Sequence, residues 1–481
     1  MAAAQTWWNK LKSMIGVGGY DSTDRKNDIT IDFRPPELLA TDLVLDLATL
    51  RAQSRHLCRT HGPARAAQVA IDANLVGHGI ALKIDTGNPV HDAKLQATFD
   101  AWADSCGVNG ESLFALQSQG ARELVPCGEI LWRLIDDPSR PGIPVMILPL
   151  EPEWLADINQ IPGTAGPNIS GGVEYDRYGR PVRYHLSDPR ATFGVGSAVE
   201  PVSADRIIHA FERTRALQAR GEPWLAPTIM TMLQEKRLVA AELRSAENTA
   251  ALSGFIKPAG GPSSIGAAKS TGERRLDIRP GAFAVGHAGD DVQVFPNTRP
   301  SQQIAPFRQM LRGDECAALR LGQRWLDRDT SRANYSSMRA DMLDSDRIWS
   351  PLRQWFGRAT AGDVLRRIAP YLVIAAGVPI KPESIRYRLV PDGQPYVDPQ
   401  KDISAALLAI AGGLSTWEDE IGSRGNDATV TVGRLQAEIT SNPLLAKIFA
   451  ANLPAHGGQP GGNPQDSQAT SPDPAADPAA A

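Results

Sequence analysis

Apolar positions recur in two rhythms along the chain. After Gly62, Pro63 falls at a plausible first helical position, and Ala66, Ala67, Ala70, Ile71 and Leu75 supply one apolar face that stops near Gly77. A strand is expected next at GIALKI. Asp92 is placed to cap a second helix, in which Leu95, Phe99 and Trp102 recur at helical spacing. ILWRLI and PVMILPL are short apolar runs bounded by turn residues and predict strands. In GVEYDRYGRPVRYHL, Asp176 to Pro181 lie between two segments of β-like composition, the pattern of a hairpin, and IIHAF at 207–211 suits a further strand. These alternations predict an α+β body.

The text then changes character. From Ala226 to Leu252 there is no glycine and Pro227 is the one proline, while Ile229, Met232, Val239, Leu243, Ala246 and Ala250 trace one helical stripe. About 25 residues at ~1.5 Å each make a rod of nearly 40 Å, longer than the usual helix of a compact domain. Residues 257–272 are rich in Gly, Pro, Ser and Ala, and RRLDIRPGAFAVGHAGDDVQVF offers short strand-like runs, so a small β unit is inserted. A second helix is expected over roughly 301–320, anchored by Ile304, Phe307, Leu311 and Leu319. Residues 331–356 read as helical again, with Tyr335, Met338, Met342, Trp349, Leu352 and Phe356 on a stripe that Pro351 is expected to kink. Asp363 is placed to cap a helix running toward Ala376. Ile403, Ala406, Leu407 and Ile410 give a short helix ended by Gly412 and Gly413, and Ser415 with Glu418 spells a capping box for the next. From Leu453 to Ala481 the chain is mostly Gly, Pro, Ala, Ser, Gln and Asp with no Phe, Trp or Tyr, a composition expected to stay disordered.

The 481 residues suit about three domains at roughly 150 residues each. Fifty Lys and Arg against 54 Asp and Glu leave a formal charge of −4, which removes the global basicity of a chain that coats nucleic acid while leaving local contacts open. Cys58, Cys106, Cys127 and Cys316 lack zinc-site spacing and are too sparse for a stapled secreted scaffold, so reduced thiols are expected. The N-terminal MAAAQTWWNKLKSMIGVGG has no continuous apolar core before a cleavage-like site, and the longest apolar stretches, such as YLVIAAGVPI, fall short of the ~20 residues a membrane span needs. WWNKLKSMIG is amphipathic and suits either contact with a membrane or a partner protein, or a frayed terminal helix.

Catalytic signatures are mostly missing. IGAAKST at 265–271 approaches a phosphate loop, but Ala268 stands where the second glycine belongs. Asp327 and Asp329 resemble a phosphate-transfer pair, yet two acids one residue apart are common on solvated or cap-forming turns. His56, Cys58 and His61, with His78 and His91 downstream, have no recognised ligand spacing, and on a helix ending near Thr60 they do not share a face. Neither G-x-S-x-G nor H-E-x-x-H occurs. Basic residues do cluster, as Lys269, Arg274, Arg275 and Arg279 in the inserted unit and as Arg320, Arg324, Arg328 and Arg332 at four-residue spacing. If the second set continued as one helix, its guanidiniums would lie along one side, facing either a phosphate backbone or the carboxylates of Asp327, Asp329 and Asp341.

Several segments, in order, resemble the portal proteins of tailed bacteriophages, specifically the lambda-like portal family: HGPARAAQVAIDANLVGHGIAL at 61–82, QEKRLVAAELRSAENTAALSGFI at 234–256, LDIRPG at 276–281, DTSRANYSSMRADMLDSDR at 329–347 and YVDPQKDISAALLAIAGGLSTWEDEIGSRG at 396–425. The resemblance covers roughly residues 30–440, and the stretches Asn334 to Arg339 and Asp398 to Glu418 are its most specific parts.

The resemblance implies a ring, usually of twelve subunits, at one vertex of the head, with no cofactor and no membrane requirement. It divides the chain into a flexible N-terminal segment (1–30), an α+β wing (31–225), a stem helix (226–252), a clip (253–298), a second stem helix (299–322), a tunnel loop with a long helix and a return to the wing (323–395), a helical crown (396–450) and a disordered tail (451–481). Implied partners are double-stranded DNA passing without base readout, the terminase large subunit, which supplies ATP hydrolysis, the major capsid protein and scaffold, and the head–tail connector. Arg324, Arg328 and Arg332 would fall near the passing DNA, and Lys269, Arg274, Arg275 and Arg279 in the clip. A different connector or adaptor ring, or a phage-encoded enzyme, stands as the alternative; a pocket of convergent Asp, Glu or His side chains would favour the enzyme.

Overall fold

A computed structural model describes residues 39–156, 169–188, 199–216, 218–251, 255–257, 291–293, 303–329, 334–391, 393, 398–442, 444–445 and 447. The chain divides into two units, 1–402 and 403–481.

The first unit opens with α1 (Leu39–Thr60) and α2 (Gly62–Leu75). Pro63 sits in the first turn of α2, and Ala64, Ala67, Ala70, Ile71 and Leu75 are buried along one face. Strand β1 (Ala81–Asp85) follows, then α3 (Pro89–Ala103). The cap of α3 is Asn88, whose side chain accepts from the Val90 N–H; Asp92 lies inside the first turn and accepts from the Thr86 N–H and hydroxyl. Asp92 is thus not the cap, because Pro89 fixes the helix start one turn earlier. Leu95, Phe99 and Trp102 are buried, and Trp102 Nε1 donates to the Val145 carbonyl at 2.8 Å.

Helix α4 (Leu113–Cys127) is capped by Ser112 and ends at Gly128, whose φ of 77° an L side chain rarely adopts. Strands β2 (Glu129–Asp136), β3 (Val145–Leu150) and β8 (Ile207–Phe211) form an antiparallel sheet in the order β3-β2-β8. A second sheet runs β4 (Ile169–Ser170), β5 (Val173–Tyr175), β6 (Pro181–Leu186) and β7 (Glu200–Ser203), with the expected hairpin turn between β5 and β6. Period-two alternation splits β2 between two cores: Ile130, Trp132 and Leu134 join the large cluster around α2, α3 and α4, while Leu131 packs with Leu150, Val173, Tyr184 and Leu186.

Helix α5 (Ile229–Ala251), strands β9 (Phe255–Lys257) and β10 (Asp291–Gln293), paired antiparallel, and α6 (Ile304–Leu319) come next. Five-residue α7 (Gln323–Asp327) precedes α8 (Tyr335–Gly357), which Asn334 and Ser337 close with a capping box. Helix α8 runs through Pro351. The chain widens into a π turn only at Arg358–Gly362 and continues directly as α9 (Asp363–Ala376). Proline removes one donor there, and burial of Trp349, Leu352 and Phe356 around it keeps the helix going. Asp363 is accordingly no cap; its carboxylate accepts from Arg366 and Arg367 one turn on. Strand β11 (Arg386–Val390) returns to pair with β1.

Helix α10 (Pro399–Ala411) leads into the second unit, which holds α11 (Trp417–Ser423) and α12 (Ala428–Ser441). The capping box of α11 is Thr416 with Asp419, one residue later than the Ser415–Glu418 pair the sequence favoured. The extended backbone of Thr416 lets its hydroxyl reach the Asp419 N–H at 3.1 Å. None of α10, α11 and α12 has a buried residue, and Leu408, Leu414 and Trp417 are exposed.

Candidate functional site

Two of the helical stripes in the sequence, at 226–252 and 301–320, become α5 and α6. Among the described positions, both are buried at one end only. In α5, Ile229, Met232 and Glu235 are buried, whereas every described position from Lys236 to Glu247 is half-buried or exposed. In α6 the order reverses: residues 304–311 are half-buried or exposed, and Arg312, Glu315, Cys316 and Leu319 are buried. The pair is therefore rooted in the body at the start of α5 and the end of α6, with Leu243, Phe307 and Met310 left exposed on the outer lengths.

Charge fastens this root. Arg312 Nη2 donates to both Glu235 oxygens at 2.7 Å, and Nη1 donates to Glu315 Oε2 at 2.5 Å. Its Nε lies 3.1 Å from Asp327 Oδ1 on α7. Glu235 also meets Arg308 Nε at 3.0 Å and His61 Nε2 at 3.1 Å, which ties in the start of α2. Burial alone would push the Glu235 carboxyl up, but the bonds from His61 and Arg308 and the charge of Arg312 outweigh it and hold it down at about 2. Glu315 goes the other way: burial and the nearby Glu235 raise it against the pull of Arg312.

A second buried cluster holds the sheet to the helices. Glu129, fully buried, accepts from Arg51 at 2.5 Å, from Arg220 Nη2 at 2.6 Å and from the Gly221 N–H at 2.6 Å, and His209 Nε2 lies 3.0 Å away. Burial opposes its ionisation, yet Arg220 and Arg51 keep it well below the usual carboxylate range.

The arginine series is not one helical stripe. Arg320 (φ 59°) and Arg328 (φ 56°) both adopt left-handed backbone, so α6 stops at Leu319 and α7 at Asp327. Arg320 pairs with Glu212 at 3.0 Å, and its carbonyl accepts from Trp349 Nε1. Arg324 Nε lies 3.2 Å from Asp341 Oδ2, one of the pairings the sequence allowed. Arg328 is exposed, its guanidinium 5.7 Å from the Trp325 ring centre. Asp327 is exposed, but its carboxylate is held by Arg312 and is not free in solvent. Arg332, the basic residues Lys269, Arg274, Arg275 and Arg279 expected in a clip, and the IGAAKST and LDIRPG segments lie outside the described residues.

A groove of about 810 Å³ beside α3 and the β2–β3 hairpin is lined by Ala101, Trp102, Val108, Arg140 and Met146, with Asp137 its one acid. Among the described residues no group of three His, Cys, Asp or Glu side chains is arranged to hold a metal. The four cysteines are buried and unpaired, and burial pushes the thiols of Cys58, Cys106 and Cys316 up to about 12. No helix among the described residues is long and apolar enough to cross a membrane.

The root cluster escaped sequence reasoning, although a signal existed. Glu235 falls on the stripe between Met232 and Val239, and Arg312 lies seven residues before Leu319, so each puts a charge on an inward position.

Comparison with known proteins agrees with the motif reading. Residues 29–353 match the family described as phage portal protein, lambda family, so the chain belongs to that family. A probable portal protein of Halomonas phage phiHAP-1 is 25% identical over 422 residues, spanning 82% of this chain and 80% of that one. Among solved structures, the neck of a native gene transfer agent particle with C12 symmetry is 16% identical with a TM-score of 0.45, covering 77% of this chain and 92% of that one. A portal protein of the HK97 family from Corynebacterium diphtheriae is 13% identical with a TM-score of 0.36, covering 74% and 98%. Portal proteins are structural components of the virion, and this one is not an enzyme.

Proposed function

We propose that the chain is one subunit of a ring at a single capsid vertex, through whose central channel double-stranded DNA is packaged and later ejected. In this reading residues 31–225 form the wing, 226–252 and 299–322 the stem, 253–298 the clip, 323–395 the tunnel loop with the long helix and the return to the wing, and 396–450 the crown. Twelve copies would close the ring. The clip would meet the terminase large subunit during packaging and a head–tail connector afterwards, while the outer surface would meet scaffold and major capsid protein as the head is nucleated.

The observation that carries this reading beyond family membership is the pair α5 and α6, rooted at one end and unburied along the rest of their described positions. A helix pair with Leu243, Phe307 and Met310 exposed has apolar area left to cover, and neighbouring copies arranged around an axis would cover it. Helices α10, α11 and α12, which bury nothing within one chain, call for the same neighbours. Arg328, exposed beyond α7, is the described member of the arginine series best placed for passing phosphates; a net acidic chain with a few such contacts would guide DNA without trapping it.

Electron microscopy of the purified chain with symmetry counting tests this. Annular particles with an opening wider than duplex DNA, about 20 Å, are expected. A correctly folded protein that stays monomeric under assembly conditions, or closes without an opening, overturns it.

A further inference from the structure

We propose that Arg312 is a positioning residue that couples the two projecting helices to α7, the segment carrying Arg324 and Arg328, so that a load on the helix pair is passed to the arginine-bearing segment. Its meaning for DNA passage rests on the ring reading above; the coupling itself is a property of a single chain.

The guanidinium reaches three carboxylates on three elements: Glu235 on α5, Glu315 on its own helix α6, and Asp327 at the end of α7. Only a planar fork can serve all three directions at once, since an ammonium on the same stem is a single point of charge. Arg312 is buried, as are Glu235 and Glu315, so none of the three can trade its partner for bulk water at little cost. One cation here serves three carboxylates, and Glu315 Oε1 is buried with no partner of its own. Whatever moves Arg312 toward one acid therefore takes it from another.

Helix α7 packs against α2 and α6. It is five residues long, Leu326 is its one buried side chain, and it ends on the left-handed Arg328. Its other side-chain ties are Arg324 to Asp341 on α8 and Gln323 Nε2, which donates to the Gln309 carbonyl on α6 at 3.2 Å. Gly322, just before it, packs so tightly on Asp341 that an added Cβ would sit 2.9 Å from both carboxylate oxygens. The segment thus spans from Arg312 on one side to Asp341 on the other, and a shift of α6 reaches it through Asp327 and Gln323.

Hydrogen exchange on the purified full-length chain, read by mass spectrometry in whatever assembly it adopts, tests the coupling. Three windows are followed: 229–235, 323–328, and α3 as a control. Asp327→Asn is expected to speed exchange in the 323–328 window about tenfold while Asp327→Glu stays near the wild-type rate. Arg312→Lys, which keeps the charge but loses the fork, is expected to speed 229–235 and 323–328 together. Glu235→Gln, on a residue that does not touch α7, is expected to move the 323–328 window by at least about threefold in either direction. An unchanged 323–328 window in Glu235→Gln, or a response confined to one window in Arg312→Lys, would overturn the coupling, as would an unresponsive Asp327→Asn. Should Glu235→Gln also disturb the α3 window, Arg312→Lys decides alone. Failure of the ring reading would appear instead in the microscopy, with these rates untouched.

Discussion

Reversing the charge of Arg324 separates a paired arginine from an exposed one. Arg324 Nε lies 3.2 Å from Asp341 Oδ2, with the two side chains 21% and 37% exposed. Two unit charges about 4 Å apart interact by ~1 kcal/mol in water and ~4 kcal/mol at an effective dielectric of 20, and this exposure lies toward the watery end. Arg324→Glu loses an attraction of about 1 kcal/mol and gains a repulsion of similar size, so a cost of about 2 kcal/mol is expected. Arg324→Gln, which only loses the attraction, should cost about 1 kcal/mol. Arg328→Glu should stay within about 0.5 kcal/mol, because the side chain is exposed and the new residue meets the same left-handed backbone as the old. Urea unfolding followed by tryptophan fluorescence suits the measurement, since Trp325 and Trp349 lie in this region. The double variant Arg324→Glu with Asp341→Arg should recover about half the loss. Equal midpoints for Arg324→Glu and Arg328→Glu, or no recovery in the swap, would refute the pairing. Packaging assays then have a clear reading: a defect in Arg328→Glu reports on DNA, while a defect in Arg324→Glu first has to be separated from lost stability.

Gly128→Ala should cost about 3 kcal/mol or more and yield little soluble protein, because its φ is 77° and an added Cβ would sit 2.0 Å from the Glu222 carbonyl oxygen. Phe356→Ala, which empties a fully buried site ahead of the π turn, should lower stability by about 3–5 kcal/mol in the same urea assay. Acid should loosen the roots of α5 and α6: Glu235, held at about 2 against an ordinary 4.5, contributes about 3 kcal/mol that is present above pH ~5 and fades as pH falls toward 2. Glu129 acts in the same direction, whereas Glu315, raised in the fold, gains from protonation and opposes them. Urea midpoints between pH 7 and pH 3 should therefore fall more steeply in the wild type than in Glu235→Gln.

Apolar rhythm was the most reliable guide to the fold, because burial acts on whole faces. GIALKI, ILWRLI, PVMILPL and IIHAF all became strands, and the stripe from Ile229 became a helix that starts and stops within a few residues of its expected bounds. Caps were less legible. Asn88 and Thr416 displaced Asp92 and Ser415, since a cap depends on one backbone angle that several neighbouring polar residues could supply. Fourfold arginine spacing misled for a related reason. It specifies a common face only while the backbone stays helical, and the left-handed turns at Arg320 and Arg328 belong to residue types that give no sign of them.

The charges that matter most were readable only as exceptions to that rhythm. Glu129 opens a strand buried on both faces, and Glu235 and Arg312 interrupt apolar stripes, positions where an unpaired charge would be costly. Each exception therefore demanded a partner, but pattern alone could not name it: Arg51 and Arg220 stand 78 and 91 residues from Glu129, and Arg312 stands 77 from Glu235. A charge on an inward stripe thus locates a joint between distant segments before the fold is known, and the fold decides what the joint connects. Here it connects the roots of the helix pair to the segment bearing Arg324 and Arg328.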